Sequence, residues 1–213
     1  FHFLAVAQDG IFNRIGYDLG SSDIWCSFHP AIGWQSFGGM IVLVAWGAWS
    51  ARGHIRAVVR HTLGKVRGGD REEIMSYRAA IVLLFVSVVF MALWLNRSGM
   101  TIGPTLAFGL GTFVLYLGLS RIIIESGLVF LRGPITAQAF TWHLFGIAGM
   151  GPFCAASLAL SFAWSCDAKT FGMTIMAHVP RLGAAMNRQS RRPLGPSVLL
   201  ASFGGAVAVI FYV

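Results

Sequence analysis

Charge is what this sequence has least of. Only 11% of its 213 residues are charged, and just 8 of them are Asp or Glu. Soluble domains carry about a quarter charged residues, so this chain has too little charge to clothe a soluble globule. Cysteine is equally sparse. Cys26, Cys154 and Cys166 show no paired spacing, which argues against a disulfide framework or a zinc site and makes each a small apolar packing residue. No GxSxG, HExxH or P-loop string occurs, so no hydrolase or ATPase motif is present. Cys166, Asp167 and His178 in "SCDAKTFGMTIMAH" lack metal-site spacing, and Asp167 is expected to cap a helix opening at Ala168. A transmembrane haem would need facing histidines, and His143 has no evident partner. No cofactor and no enzymatic activity are therefore expected.

What the chain has instead is apolar residues, 56% of the total, with a mean hydropathy of +0.70. They gather in runs: Met40 to Trp49, Ala79 to Leu95, Ile102 to Leu119, Ala137 to Trp164, and Val198 to the end. A bilayer span needs about 20 such residues. The expected fold class is all-α, a polytopic transmembrane helix bundle. No charged leader precedes a short apolar stretch as in a signal peptide. The start at Phe1 and the end within an apolar run suggest an excerpt of a longer polypeptide.

The net charge of +8 is distributed by topology rather than for nucleic acid. Residues 1–33, expected as an external loop, hold Arg14 against Asp9, Asp18 and Asp23. Residues 52–78 hold seven basic residues against three acidic ones, and residues 166–193 hold five against one. Basic loops mark the cytoplasmic side, with contact to anionic lipid as a secondary role. Arg52, Arg56 and Arg60 recur every four residues around Ile55, Val58 and Val59, the pattern of a basic amphipathic helix at a membrane surface. Gly68 and Gly69 end it, and Asp70 with Glu73 resembles a capping box for the next helix.

Spans at about 33–51, 79–96 and 102–120 return the chain to the cytoplasmic side near Arg121. A full crossing at 137–164 would then put the second basic loop outside. "GIAGMGP" at 146–152 divides that run into two segments of about a dozen residues, lengths that suit a re-entrant segment better than a span. The expectation is a re-entrant helical hairpin over 137–164, of the kind found around transporter sites. One kinked span, with 168–180 dipping back, is the alternative.

Ionisable residues at membrane depth mark functional sites, and Arg121 and Glu125 share a helix face at i, i+4. The pair is either a coupling carboxylate with its partner or substrate anchor, or an interfacial salt bridge that sets helix depth. His143, with Gln138 about a turn away, either titrates or binds an ion, or is satisfied by a backbone carbonyl. Gly149, Gly151 and Pro152 would let the hairpin tip open its backbone to a solute. "QSFGGM" and "ASFGGAV" place glycine pairs where helices can approach closely.

The strings "SFGGMIVLVAWGAWSARGHIR", "EEIMSYRAA", "RIIIESGLVFLRGP" and "CDAKTFGMTIMAH" resemble a family of large bacterial multi-pass membrane proteins of unknown function, itself distantly similar to the oligopeptide transporter superfamily. The resemblance covers about residues 34–192 and implies a transporter-like fold in the bacterial inner membrane. The expected function is part of a secondary transporter, proton-coupled through Glu125, for a small polar or peptide-like solute. The alternative is a structural subunit of a larger membrane complex. Expected partners are membrane lipids, with other membrane subunits or further copies of the chain.

Overall fold

The computed structural model describes residues 2–17, 30–62, 76–128, 131–165, 176–186 and 194–212. Every regular element among them is a helix. These are α1 (His2–Ile15), α2 (Pro30–Ser50), α3 (Arg52–Thr62), α4 (Tyr77–Arg97), α5 (Ile102–Ser126), α6 (Ala137–Leu160), α7 (Phe162–Ser165), α8 (His178–Ala185) and α9 (Leu194–Tyr212). Helices α2, α4 and α5 are each long and apolar enough to cross a membrane. The chain divides into two compact units, 1–50 with 89–177 and 51–88 with 178–213.

Each long helix runs close to its expected limits, with one extension. Helix α5 passes through Arg121 and Glu125 and stops only after Ser126. There Gly127 takes φ 72° and returns its N–H to the Ile123 carbonyl, a left-handed termination that glycine adopts without steric penalty. Thr101 opens α5 in extended conformation with Pro104 in its first turn, a position where proline forfeits no helical hydrogen bond. Residues 1–33, expected as an external loop, begin instead with a helix, α1, which runs to Ile15 through Gly10. The proposed caps at Asp70 and Asp167, and the glycine break at 68–69, lie outside the described residues.

In the first unit the core gathers Phe37 and Met40 from α2, Leu95 and Met100 near the α4–α5 turn, and Phe108, Val114, Leu115 and Leu119 from α5. Ile135, Met150, Cys154 and Leu158 complete it. Helices α2 and α5 approach where side chains are missing. Met40 occupies the space a Cβ on Gly118 would need, and the Arg121 guanidinium does the same at Gly47. Small residues at such crossings let apolar helices come together in lipid, where burial alone gives no driving force. Among the described residues, a Cβ at Gly38 or Gly39 of the first unit would meet nothing within 4 Å.

In the second unit, α3 follows α2 after one turn residue, and the Ile55 N–H reaches the Ala51 carbonyl at 2.9 Å. None of its residues is buried.

Candidate functional site

The run 137–165 turns back on itself. In one continuous helix Gln138 and Ser165 would stand about 40 Å apart. Instead the Gln138 Nε2 amide donates to the Ser161 Oγ at 3.0 Å and to the Ser165 carbonyl at 3.2 Å. The reversal occurs at Gly146 (φ 66°, ψ 163°) and Gly151 (φ 71°, ψ 163°), a conformation open essentially to glycine alone. Pro152 then starts the second arm, its fixed φ suited to a first helical turn. Of the two glycines expected at the tip, Gly151 is a turning point. Gly149 keeps helical backbone, and Gly146 takes its place.

The hairpin's position along α5 is set by the residues before it. Segment 131–136 is irregular, bends at Pro134 and Ile135 and packs beside α5: a Cβ on Gly133 would lie 3.6 Å from Leu115 and 3.8 Å from Leu119. Pro134, Ile135 and Thr136 are buried. Irregular backbone is tolerated at membrane depth only inside protein or beside a watery cavity. Thr136, at ψ 159°, caps α6 by accepting the Ala139 N–H on its hydroxyl, which satisfies one of the unpaired amides of a helix start. The first arm then runs antiparallel to α5, with Ala137 and Phe140 against Gly111 and Phe145 against Gly103. The second arm returns from Cys154, 3.9 Å from the Thr101 hydroxyl, to Ser165, whose Oγ lies 3.5 Å from the Tyr116 hydroxyl. The tip thus reaches the level of the α4–α5 turn, and the base lies beside the middle of α5. Segment 131–136 carries the chain to the middle of α5 before α6 begins.

The base is polar but uncharged. Gln138 is 1% exposed and Ser161 likewise 1%. Three hydroxyl residues line one stripe of α5 at i, i+4 and i+8: Thr112, Tyr116 and Ser120. Ser157, Ser161 and Ser165 repeat that spacing from α6 into α7. Within this group the Gln138 Oε1 and the hydroxyls of Thr112, Ser120 and Ser157 are buried with no hydrogen-bond partner among the described residues. The Ser165 carbonyl can only accept, so it fixes the Gln138 amide with its N–H₂ toward the second arm and its oxygen left over. Leaving a buried acceptor unpaired costs about 1–3 kcal/mol. Such unpaired buried oxygens are relieved by a polar ligand or by ordered water.

The charged pair sits elsewhere. Arg121 Nε and Glu125 Oε1 are 3.0 Å apart, with side chains 41% and 64% exposed. The i, i+4 pairing expected from the sequence forms, with the Arg121 guanidinium beside Gly47 of α2. Glu125 is nine residues beyond Tyr116, about 14 Å along the axis. His143 is held by its own helix, with Nδ1 2.8 Å from the Ala139 carbonyl, and its ring meets that of Trp34 edge-on at 5.1 Å. Gln138 and Gly151 therefore belong to the hairpin structure, whereas Arg121, Glu125 and His143 do not reach its base. The hydroxyl stripes are marked in the sequence only by their four-residue spacing.

No significant match is found among curated proteins or solved structures. A family model described as a family of unknown function, DUF6785, matches residues 1–213, and the chain belongs to that family.

Proposed function

We propose that this chain is part of a secondary transporter whose solute or coupling-ion site is the base of the α6 hairpin. The observation that carries this reading is the buried, unpaired Gln138 Oε1 at the start of α6, with further unpaired buried hydroxyls at Thr112 and Ser120 of α5 and at Ser157 of the second arm. Broken helices near the bilayer midplane hold substrates and ions in transporters, with half-helix ends and freed backbone groups as ligands. The lining is neutral, which suits a small polar or peptide-like solute bound by hydrogen bonds. The resemblance to the oligopeptide transporter superfamily points the same way, and the basic loops fit a bacterial inner membrane. Glu125, exposed on α5, stands outside this site.

The test is access. Ser161→Cys in a background with Cys26, Cys154 and Cys166 all replaced by serine, in proteoliposomes, is treated with a small charged thiol reagent. Modification slowed by one member of a panel of amino acids and short peptides is expected. A residue inert in folded protein yet reactive after denaturation would remove the site.

A second reading, a structural subunit of a larger membrane assembly, is favoured by α4. Its apolar surface is almost wholly uncovered by the chain. Co-purifying membrane partners would support that reading.

A further inference from the structure

Helix α3 (RGHIRAVVRHT) contains no acidic residue. At 3.6 residues per turn, Ile55, Val58, Val59 and Thr62 share one arc. Arg52, Arg56 and Arg60 adjoin that arc on one flank, with His54 and His61 on the other. The Thr62 hydroxyl donates to the Val58 carbonyl at 2.9 Å, which masks its polarity within the apolar arc. The Tyr77 ring lies 6.2 Å from the His54 ring and 5.8 Å from that of His61. The histidine flank therefore faces the start of α4, and the arginine flank faces away from it. Ile55 is 47% exposed and Val59 45%, so the arc is left half-open within the chain. The helix is rooted one residue beyond α2, whose length and composition suit a membrane crossing. The nearest apolar phase for such an arc is the acyl boundary of the bilayer. Arginines beside it then stand at head-group level, where long side chains keep their charge in water.

We propose that α3 is a binding element for anionic phospholipids. Its apolar arc enters the head-group boundary, and Arg56 and Arg60 engage lipid phosphates through their guanidinium groups. Charge complementarity selects the occupant, because Arg56 and Arg60 stand about one turn apart on a helix that itself carries no acidic residue. Guanidinium binds phosphate with two parallel hydrogen bonds. Each basic residue near an anionic surface should strengthen binding about fivefold. The inference is independent of any transport role.

The experiment is amide exchange across residues 52–62 of the full chain, in nanodiscs of phosphatidylcholine alone or mixed with phosphatidylglycerol. Exchange is expected to slow in the anionic mixture. Arg56→Gln with Arg60→Gln should abolish that difference, and the corresponding lysine pair should retain most of it. Both arginines are exposed, so the variants keep the fold. Equal exchange in the two lipids would overturn the proposal, as would a lipid difference that survives in the glutamine pair. So would protection that appears only when a soluble protein fraction is added.

Discussion

Helices α4 and α5 are both long and apolar, yet the chain treats them oppositely. Only 6% of the most apolar stretch of α4 is buried, against 50% for α5. The difference lies in small and polar residues. Helix α4 contains no glycine and carries Val, Leu and Phe around its whole circumference, with Ser87 as the only polar residue in its middle. Helix α5 offers Gly103, Gly111 and Gly118, and each receives a neighbour's side chain: Phe145, Phe140 and Met40 respectively. Lipid tails are as apolar as leucine, so hydrophobicity alone brings no two helices together in a membrane. Close approach and polar pairing do, and α5 has the residues for both. The comparison teaches that apolarity marks a span, while its gaps mark which spans meet protein.

The largest effect should come from filling one of those gaps. Gly118→Leu would drive a side chain into Met40 and Val44 of α2. Overpacking of this kind costs about 1–3 kcal/mol, and with both helices long and rigid the upper end is expected. Thermal unfolding of the full chain in detergent would show it as a clear fall in Tm. An unchanged Tm would mean that α2 does not pack on α5 there.

A smaller effect should separate the two kinds of glycine at the hairpin tip. Gly151→Ala places a Cβ at φ 71°, ψ 163°, which costs about 1–3 kcal/mol. Gly149 is helical, and a Cβ there meets nothing within 4 Å. Gly149→Ala should therefore be neutral or stabilise by up to about 1 kcal/mol. Equal losses from both would show that the tip does not turn at Gly151.

The sequence made much of this legible, for physical reasons that vary by element. The spans showed because a bilayer demands a minimum apolar length. The hairpin showed because "GIAGMGP" interrupts a run whose simple crossing would have broken the charge asymmetry of the loops. The end of α5 did not show, since Arg121 and Glu125 looked like a boundary. Backbone hydrogen bonding is indifferent to charge, however, and continues to the left-handed Gly127. The hairpin base was least legible. Single Ser and Thr residues in apolar helices ordinarily bond their own backbone, as Thr141 does to the Ala137 carbonyl at 2.8 Å. Nothing in the string separates those from Ser120 or Ser157, which have no such partner. Gln138 stands out as a polar residue in an apolar run, but its tie to Ser161 and Ser165 exists only because the chain doubles back.

The smallest expected effect tests the other half of the comparison. Phe85 and Val86 of α4 are 68% and 58% exposed, and the bilayer is the neighbour that α4's composition suits. Phe85→Leu and Val86→Leu exchange one apolar surface for another, and such substitutions away from packed contacts usually stay within about 0.5 kcal/mol. If α4 faces lipid, the Tm of the full chain should not move, and neither should its mass in detergent. If another protein surface covers α4, Phe85 occupies a shaped contact there. The exchange would then lower Tm or release a partner, because packed interiors respond to changes as small as a single methylene. A released partner would favour the assembly reading. An inert α4 would leave the uncharged base of the α6 hairpin as the feature that most needs a function.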